Sequence, residues 1–271
     1  METPDIAPAA PLDDPAPLLP GTHSFRLGGI TQRYHVHGNG PVCVAHPGGP
    51  GLLWDYLRMP ALEEHLTMVY VEPIGSGESG RLPSHPHGYT RDRYSRFLQV
   101  LINRLHQPEI HLLGHGHGAL VAAHHALHRS ERLAGVILYD AEPAFNQTLG
   151  LQCGSPTDDG HDNRRRLAVA CDEPQAVHIS GLDENLSPAL NDDHADLESI
   201  SVPVLVISER NDLDHKSAWG RGAHIGIGGS RLRVLEHRGS LGHLEDPLRF
   251  NRAVREFVLE TTGRAAPAVG P

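Results

Sequence analysis

The sequence predicts an α/β fold with a mostly parallel sheet. Short apolar runs recur along the chain, each bounded by turn residues. Stretches of helical length lie between them, and strand–helix alternation of this kind builds a parallel sheet with helices on its faces. The size agrees: 271 residues make one large domain or two small ones.

The elements follow in order. Residues 22–37 alternate polar and apolar around Gly28 and Gly29, the pattern of a hairpin at a sheet edge. Residues 41–45, 67–72, 109–113, 134–139 and 202–208 are apolar runs that suit strands buried on both faces, and 231–236 is a weaker case. Helices are expected at 92–106, 117–130 and 245–260. In the last, Asp246 suits the N-cap and Pro247 the first turn, while Phe250, Ala253, Val254, Phe257 and Val258 share one face.

Composition excludes several classes. The formal charge of −10 argues against a nucleic-acid binder, and no apolar run reaches the ~18 residues of a membrane span. Cys43, Cys153 and Cys171 are too few for a disulfide framework in a chain this long. Residues 1–21 carry six prolines and lack both a basic start and an apolar core, so they read as an extended arm, not a signal peptide. Residues 263–271 read as a flexible tail. A cytoplasmic protein is the expectation. Residues 143–201 interrupt the alternation and carry 11 acidic residues against three arginines, a net of −8. They are expected to form a short polar lid inserted between core segments 22–142 and 202–262.

Four places could hold chemistry, each at the end of an expected strand. His46-Pro47-Gly48-Gly49-Pro50-Gly51 is a glycine-rich turn able to present backbone N–H groups to an oxyanion, although a plain tight loop would look the same. Gly114-His115-Gly116-His117-Gly118 lies between a buried strand and a buried helix, where a G-x-S-x-G nucleophile elbow belongs, yet its centre is Gly116. Asp212 and His243 follow the next two strands, and their spacing fits the Ser…Asp…His order of a triad. Either residue by itself is more often an ordinary loop residue.

These motifs together resemble the α/β-hydrolase superfamily, and within it the proline iminopeptidase-like branch. HPGGPG at 46–51 is similar to that branch's HGGPG loop, and Glu72–Ser79 to its D-x-R-G-x-G-x-S segment, with Ile74 in place of the arginine. The resemblance covers about residues 22–141 and 202–260. It implies a site made of Gly116 (a vacant nucleophile position), Asp212 and His243. It also implies oxyanion donors from His117 and from Gly48 or Gly49, and a small-molecule ester, amide or lactone substrate. His46, Trp54, His115, Asp140 and Glu142 are candidates for substrate contact, and Asp140 is a second choice for the acid. An amino-bearing substrate would suit the acidic insert. No cofactor or metal is implied, since His124, His125 and His128 lack the partners a zinc site needs.

Without a hydroxyl at 116 no acyl-enzyme can form there. Three readings remain open: a serine hydrolase altered at 116, an enzyme that moves a proton through His243 and Asp212 for elimination, cyclisation or hydration, and an inactive small-molecule-binding protein. In the second, His243 is expected to be a base poised near neutral pH.

Overall fold

The computed structural model describes residues 16–48, 53–141, 197–209, 218–236 and 241–263. The expectations for Cys153, Cys171, Asp212, Glu142, Gly49 and most of the 143–201 insert lie outside them.

Eight strands form one sheet among the described residues: β1 (Gly21–Leu27), β2 (Ile30–His37), β3 (Val42–His46), β4 (Thr67–Glu72), β5 (Ile110–His115), β6 (Leu133–Tyr139), β7 (Val204–Glu209) and β8 (Arg231–Leu235). Their order is β1-β2-β4-β3-β5-β6-β7-β8. The β1–β2 and β2–β4 pairings are antiparallel, and every pairing from β4 through β8 is parallel. Among the described residues the helices are α1 (Pro60–Glu63), α2 (Arg91–Arg104), α3 (His117–His128), α4 (Ala218–Gly226), α5 (Gly242–Glu245) and α6 (Pro247–Thr261), with a 3-10 turn at Trp54–Leu57.

The continuous apolar runs have a direct cause. Successive strand residues point to opposite faces. Val44, Leu112, Val136 and Val206 join one core with Leu98 and Leu101 of α2 and Leu120 of α3. Their neighbours Ala45, Leu113, Ile137 and Ile207 join a second core with Phe250, Val254 and Phe257 of α6. Both faces are covered, so both residues of each pair are apolar.

Local chemistry sets the helix ends. Thr90 accepts the Arg93 N–H at the start of α2, and Asp246 accepts the Arg249 N–H at the start of α6. Of the five residues expected on the α6 face, Phe250, Val254, Phe257 and Val258 are buried and Ala253 is partly covered. The His111 ring bonds Thr261 Oγ1 at 2.7 Å, fastening the end of α6 to β5. No helix of the described residues is long and apolar enough to cross a membrane.

Candidate functional site

The parallel strands deliver the chosen residues to one edge of the sheet. His46 ends β3, His115 ends β5, Tyr139 ends β6 with Asp140 directly after it, and His243 sits in α5 before α6. A parallel sheet places its ligand crevice at this C-terminal edge.

Gly116 forms the turn between β5 and α3 with φ 54° and ψ −120°. A side chain is strained in that conformation, whereas glycine adopts it freely. Its N–H donates to the Tyr139 carbonyl at 3.0 Å, tying the turn to β6. Gly118 is fixed by proximity, because a Cβ there would lie 2.4 Å from the His46 carbonyl oxygen and 2.5 Å from that of Pro47. The helix can therefore start hard against the end of β3.

The expected backbone donors are already engaged. The His117 N–H donates to the Gly48 carbonyl at 3.2 Å, and the Gly48 N–H donates to the Tyr56 hydroxyl at 2.6 Å. The same hydroxyl lies 2.8 Å from His115 Nδ1. Burial pushes the Tyr56 phenol up, and the Asp140 carboxylate nearby adds to the effect. Asp140 is buried and carries a positive φ of 44°, a conformation that Asp tolerates better than most residues.

His243 is 3% exposed and held at both ring nitrogens. Nε2 lies 2.9 Å from the Tyr56 carbonyl, which can only accept, so Nε2 carries the proton. Nδ1, 3.0 Å from the Tyr139 hydroxyl, then accepts from it, and that hydroxyl in turn accepts the His243 backbone N–H at 3.2 Å. Burial lowers the pKa to about 4, only partly offset by the bond to Tyr56. This corrects the expectation of a base poised near neutrality: desolvation keeps the ring uncharged well below that range.

The other candidates divide. His46 and His117 flank the Gly116 turn, and their rings meet that of Tyr94 edge-on, each at 5.7 Å. Burial lowers the first to about 4 and the second to about 3. Neither nitrogen of the buried His117 ring has a hydrogen-bond partner. Trp54, in the same 3-10 turn as Tyr56, stacks on His35 at 3.9 Å. On α3, His124 and His128 have ring centroids 4.4 Å apart, but no group of three or more His, Cys, Asp or Glu able to hold a metal occurs among the described residues.

Sequence reasoning missed Tyr56 and Tyr139. Neither belongs to a motif, and they meet His243 across 187 and 104 residues. Their signal is weak: aromatics with a polar tip, close in sequence to the site loops.

Comparison with known proteins agrees with this architecture. The family described as the alpha/beta hydrolase fold matches residues 41–161. The "Putative carbamate hydrolase RutD" of Pseudomonas savastanoi pv. phaseolicola is 28% identical over 254 residues, covering 82% of this chain and 95% of the relative. A proline iminopeptidase of Heyndrickxia coagulans is 32% identical over 108 residues, which is 39% of this chain and 37% of that protein. Among solved structures, the proline iminopeptidase of Mycobacterium smegmatis superposes with a TM-score of 0.71 at 16% identity, covering 89% of this chain and 98% of that one. The parallel sheet, the strand-to-helix turn at Gly116 and these matches together give the chain the α/β-hydrolase fold.

Proposed function

We propose that the protein binds a small carbonyl compound (an ester, amide, carbamate or lactone) at this sheet edge and does not process it through an acyl-enzyme. The backbone of Gly116 carries the reading: φ 54° and ψ −120° between β5 and α3, the sharp turn on which a G-x-S-x-G motif mounts its serine. A hydrogen occupies the place of the nucleophile. In a triad such a loss typically removes about 10⁶ of the rate. The RutD proteins, named for carbamate hydrolysis and matched over most of their length, support a small carbonyl ligand. The partial match to a proline iminopeptidase supports amides.

The hydrogen bonds say what must move. A carbonyl oxygen reaching the His117 N–H displaces the Gly48 carbonyl, and one reaching the Gly48 N–H displaces the Tyr56 hydroxyl. Asp212 orients His243 only if the Tyr139 hydroxyl yields Nδ1 and the ring proton moves there from Nε2. The His243–Tyr139 pair also favours a second reading, in which the neutral imidazole takes a proton from a bound ligand and a hydration or elimination follows. The acidic segment 143–201 would draw an amino-bearing ligand under either reading, and raised salt would weaken its capture.

The test pairs the native protein with Gly116→Ser on one panel of esters, amides, carbamates and lactones, with a fluorophosphonate as covalent probe. The native protein should show no adduct in the 114–118 turn, and Gly116→Ser should gain an adduct at 116. A covalent substrate adduct on the native protein, at a residue whose substitution abolishes turnover, overturns the proposal. His243→Gln separates the two readings: turnover lost with binding kept identifies proton transfer.

A further inference from the structure

The strand pair at the sheet's outer end holds a second ordered set of polar groups. Thr22 on β1 stands directly across from His35 on β2, and its hydroxyl lies 2.9 Å from His35 Nδ1. The opposite nitrogen, Nε2, lies 3.0 Å from Glu72 Oε2 at the end of β4. Glu72 and His35 are buried, whereas Thr22 is exposed. The indole of Trp54 stacks on the His35 ring at 3.9 Å with an interplanar angle of 15°, and this fixes the ring plane.

The chemistry of the three groups gives the chain of bonds a direction. Burial opposes ionisation of Glu72, but hydrogen bonds from His35 and from the Glu78 backbone N–H hold its carboxyl below the usual range. An ionised carboxylate only accepts, so Nε2 carries a proton. In the neutral ring Nδ1 is then a bare acceptor, and the Thr22 hydroxyl donates to it. A hydroxyl, a base within hydrogen-bond reach and a third group orienting that base are the working parts of an activated nucleophile, recognised by geometry and not by chain position.

We propose that Thr22 is an activated hydroxyl that accepts acyl groups from small activated esters, with His35 as general base and Glu72 and Trp54 as positioning residues. The Thr22 oxygen forms a bond to the acyl carbon as its proton passes to His35 Nδ1. The bond from acyl carbon to the leaving oxygen breaks, and the leaving alcohol or phenol recovers that proton. The products are acyl-Thr22 and the free alcohol. The inference uses residues distant in sequence from Gly116 and stands whatever that glycine does.

The test exposes the native protein to p-nitrophenyl acetate and maps acetylation by peptide mass spectrometry over time. Ser24 is the internal control, being exposed on the same face of β1 but paired with Arg33 instead of a histidine. General-base assistance supplies roughly 10²–10⁴-fold, so Thr22 should be acetylated at least about a hundredfold faster than Ser24. His35→Gln should remove that advantage, Thr22→Val should abolish the adduct, and Thr22→Ser should keep it. Unfolding curves of each variant exclude collapse of the strand pair. Acetylation of Thr22 no faster than Ser24, or unchanged in a folded His35→Gln protein, overturns the proposal and leaves the three groups as structural hydrogen bonds only.

Discussion

Acidification should unfold this protein well above the range where carboxylates titrate. His46, His111, His117, His125 and His243 are each no more than 3% exposed. Burial lowers His117 to about 3 and the other four to about 4, from an ordinary value of 6.5. The unfolded chain therefore binds protons at these positions as pH falls through 6.5, while the folded chain does not until about pH 4. Stability is lost across that window, because the unfolded state holds the extra protons. Linkage gives about 1.2 kcal/mol per histidine between pH 7 and 5.5, or roughly 6 kcal/mol for the five. That is comparable with the whole stability of an ordinary domain, ~5–15 kcal/mol. Urea unfolding followed by far-UV circular dichroism at pH 7, 6.5, 6 and 5.5 measures it directly. The figure at pH 5.5 depends mainly on the unfolded-state pKa, so a loss below about 2 kcal/mol would refute the reasoning and mean that the folded chain protonates these rings as readily as the unfolded one.

Two further outcomes follow from single contacts. Tyr139→Phe removes the hydroxyl that serves both His243 Nδ1 and the His243 N–H, leaving two buried groups without that partner; urea unfolding at pH 7.5 should show a loss of roughly 2–4 kcal/mol, and a loss under 1 kcal/mol would contradict the assignment. Gly118→Ala drives a Cβ to 2.4 Å from a backbone oxygen, so α3 must shift off β3; calorimetry should show a destabilisation of at least ~1–3 kcal/mol, and an unchanged melting temperature would count against the packing described.

The fold was legible because its sheet is covered on both faces. Apolar runs such as residues 67–72 and 134–139 match β4 and β6 to within a residue, since nothing there competes with burial. What escaped has local causes. The helix at Pro60–Glu63 is one turn long and leaves no periodic pattern, and Ala218–Gly226 carries three glycines in nine residues. At the site, the chain positions of Gly116 and His243 were readable, because the order of strand-end residues is a property of topology. The state of His243 was not. Its proton position and lowered pKa depend on Tyr56 and Tyr139, which reach it only after the chain has folded. Nor was the stacking of Trp54 on His35, a pairing visible only once β2 lies beside β4.

The bond between the Tyr56 carbonyl and His243 Nε2 also dates the site within the life of the molecule. The two partners are 187 residues apart. At ribosomal speeds of about 5–20 residues per second, Tyr56 leaves the ribosome roughly 10–40 s before the histidine that its carbonyl will hold. Once β5 has been made it can pair with β3 and β4, but α6, whose Phe250, Val254 and Phe257 complete the second core, has yet to be made. The second core of the nascent sheet thus stays incomplete for most of its synthesis, until the final helix docks.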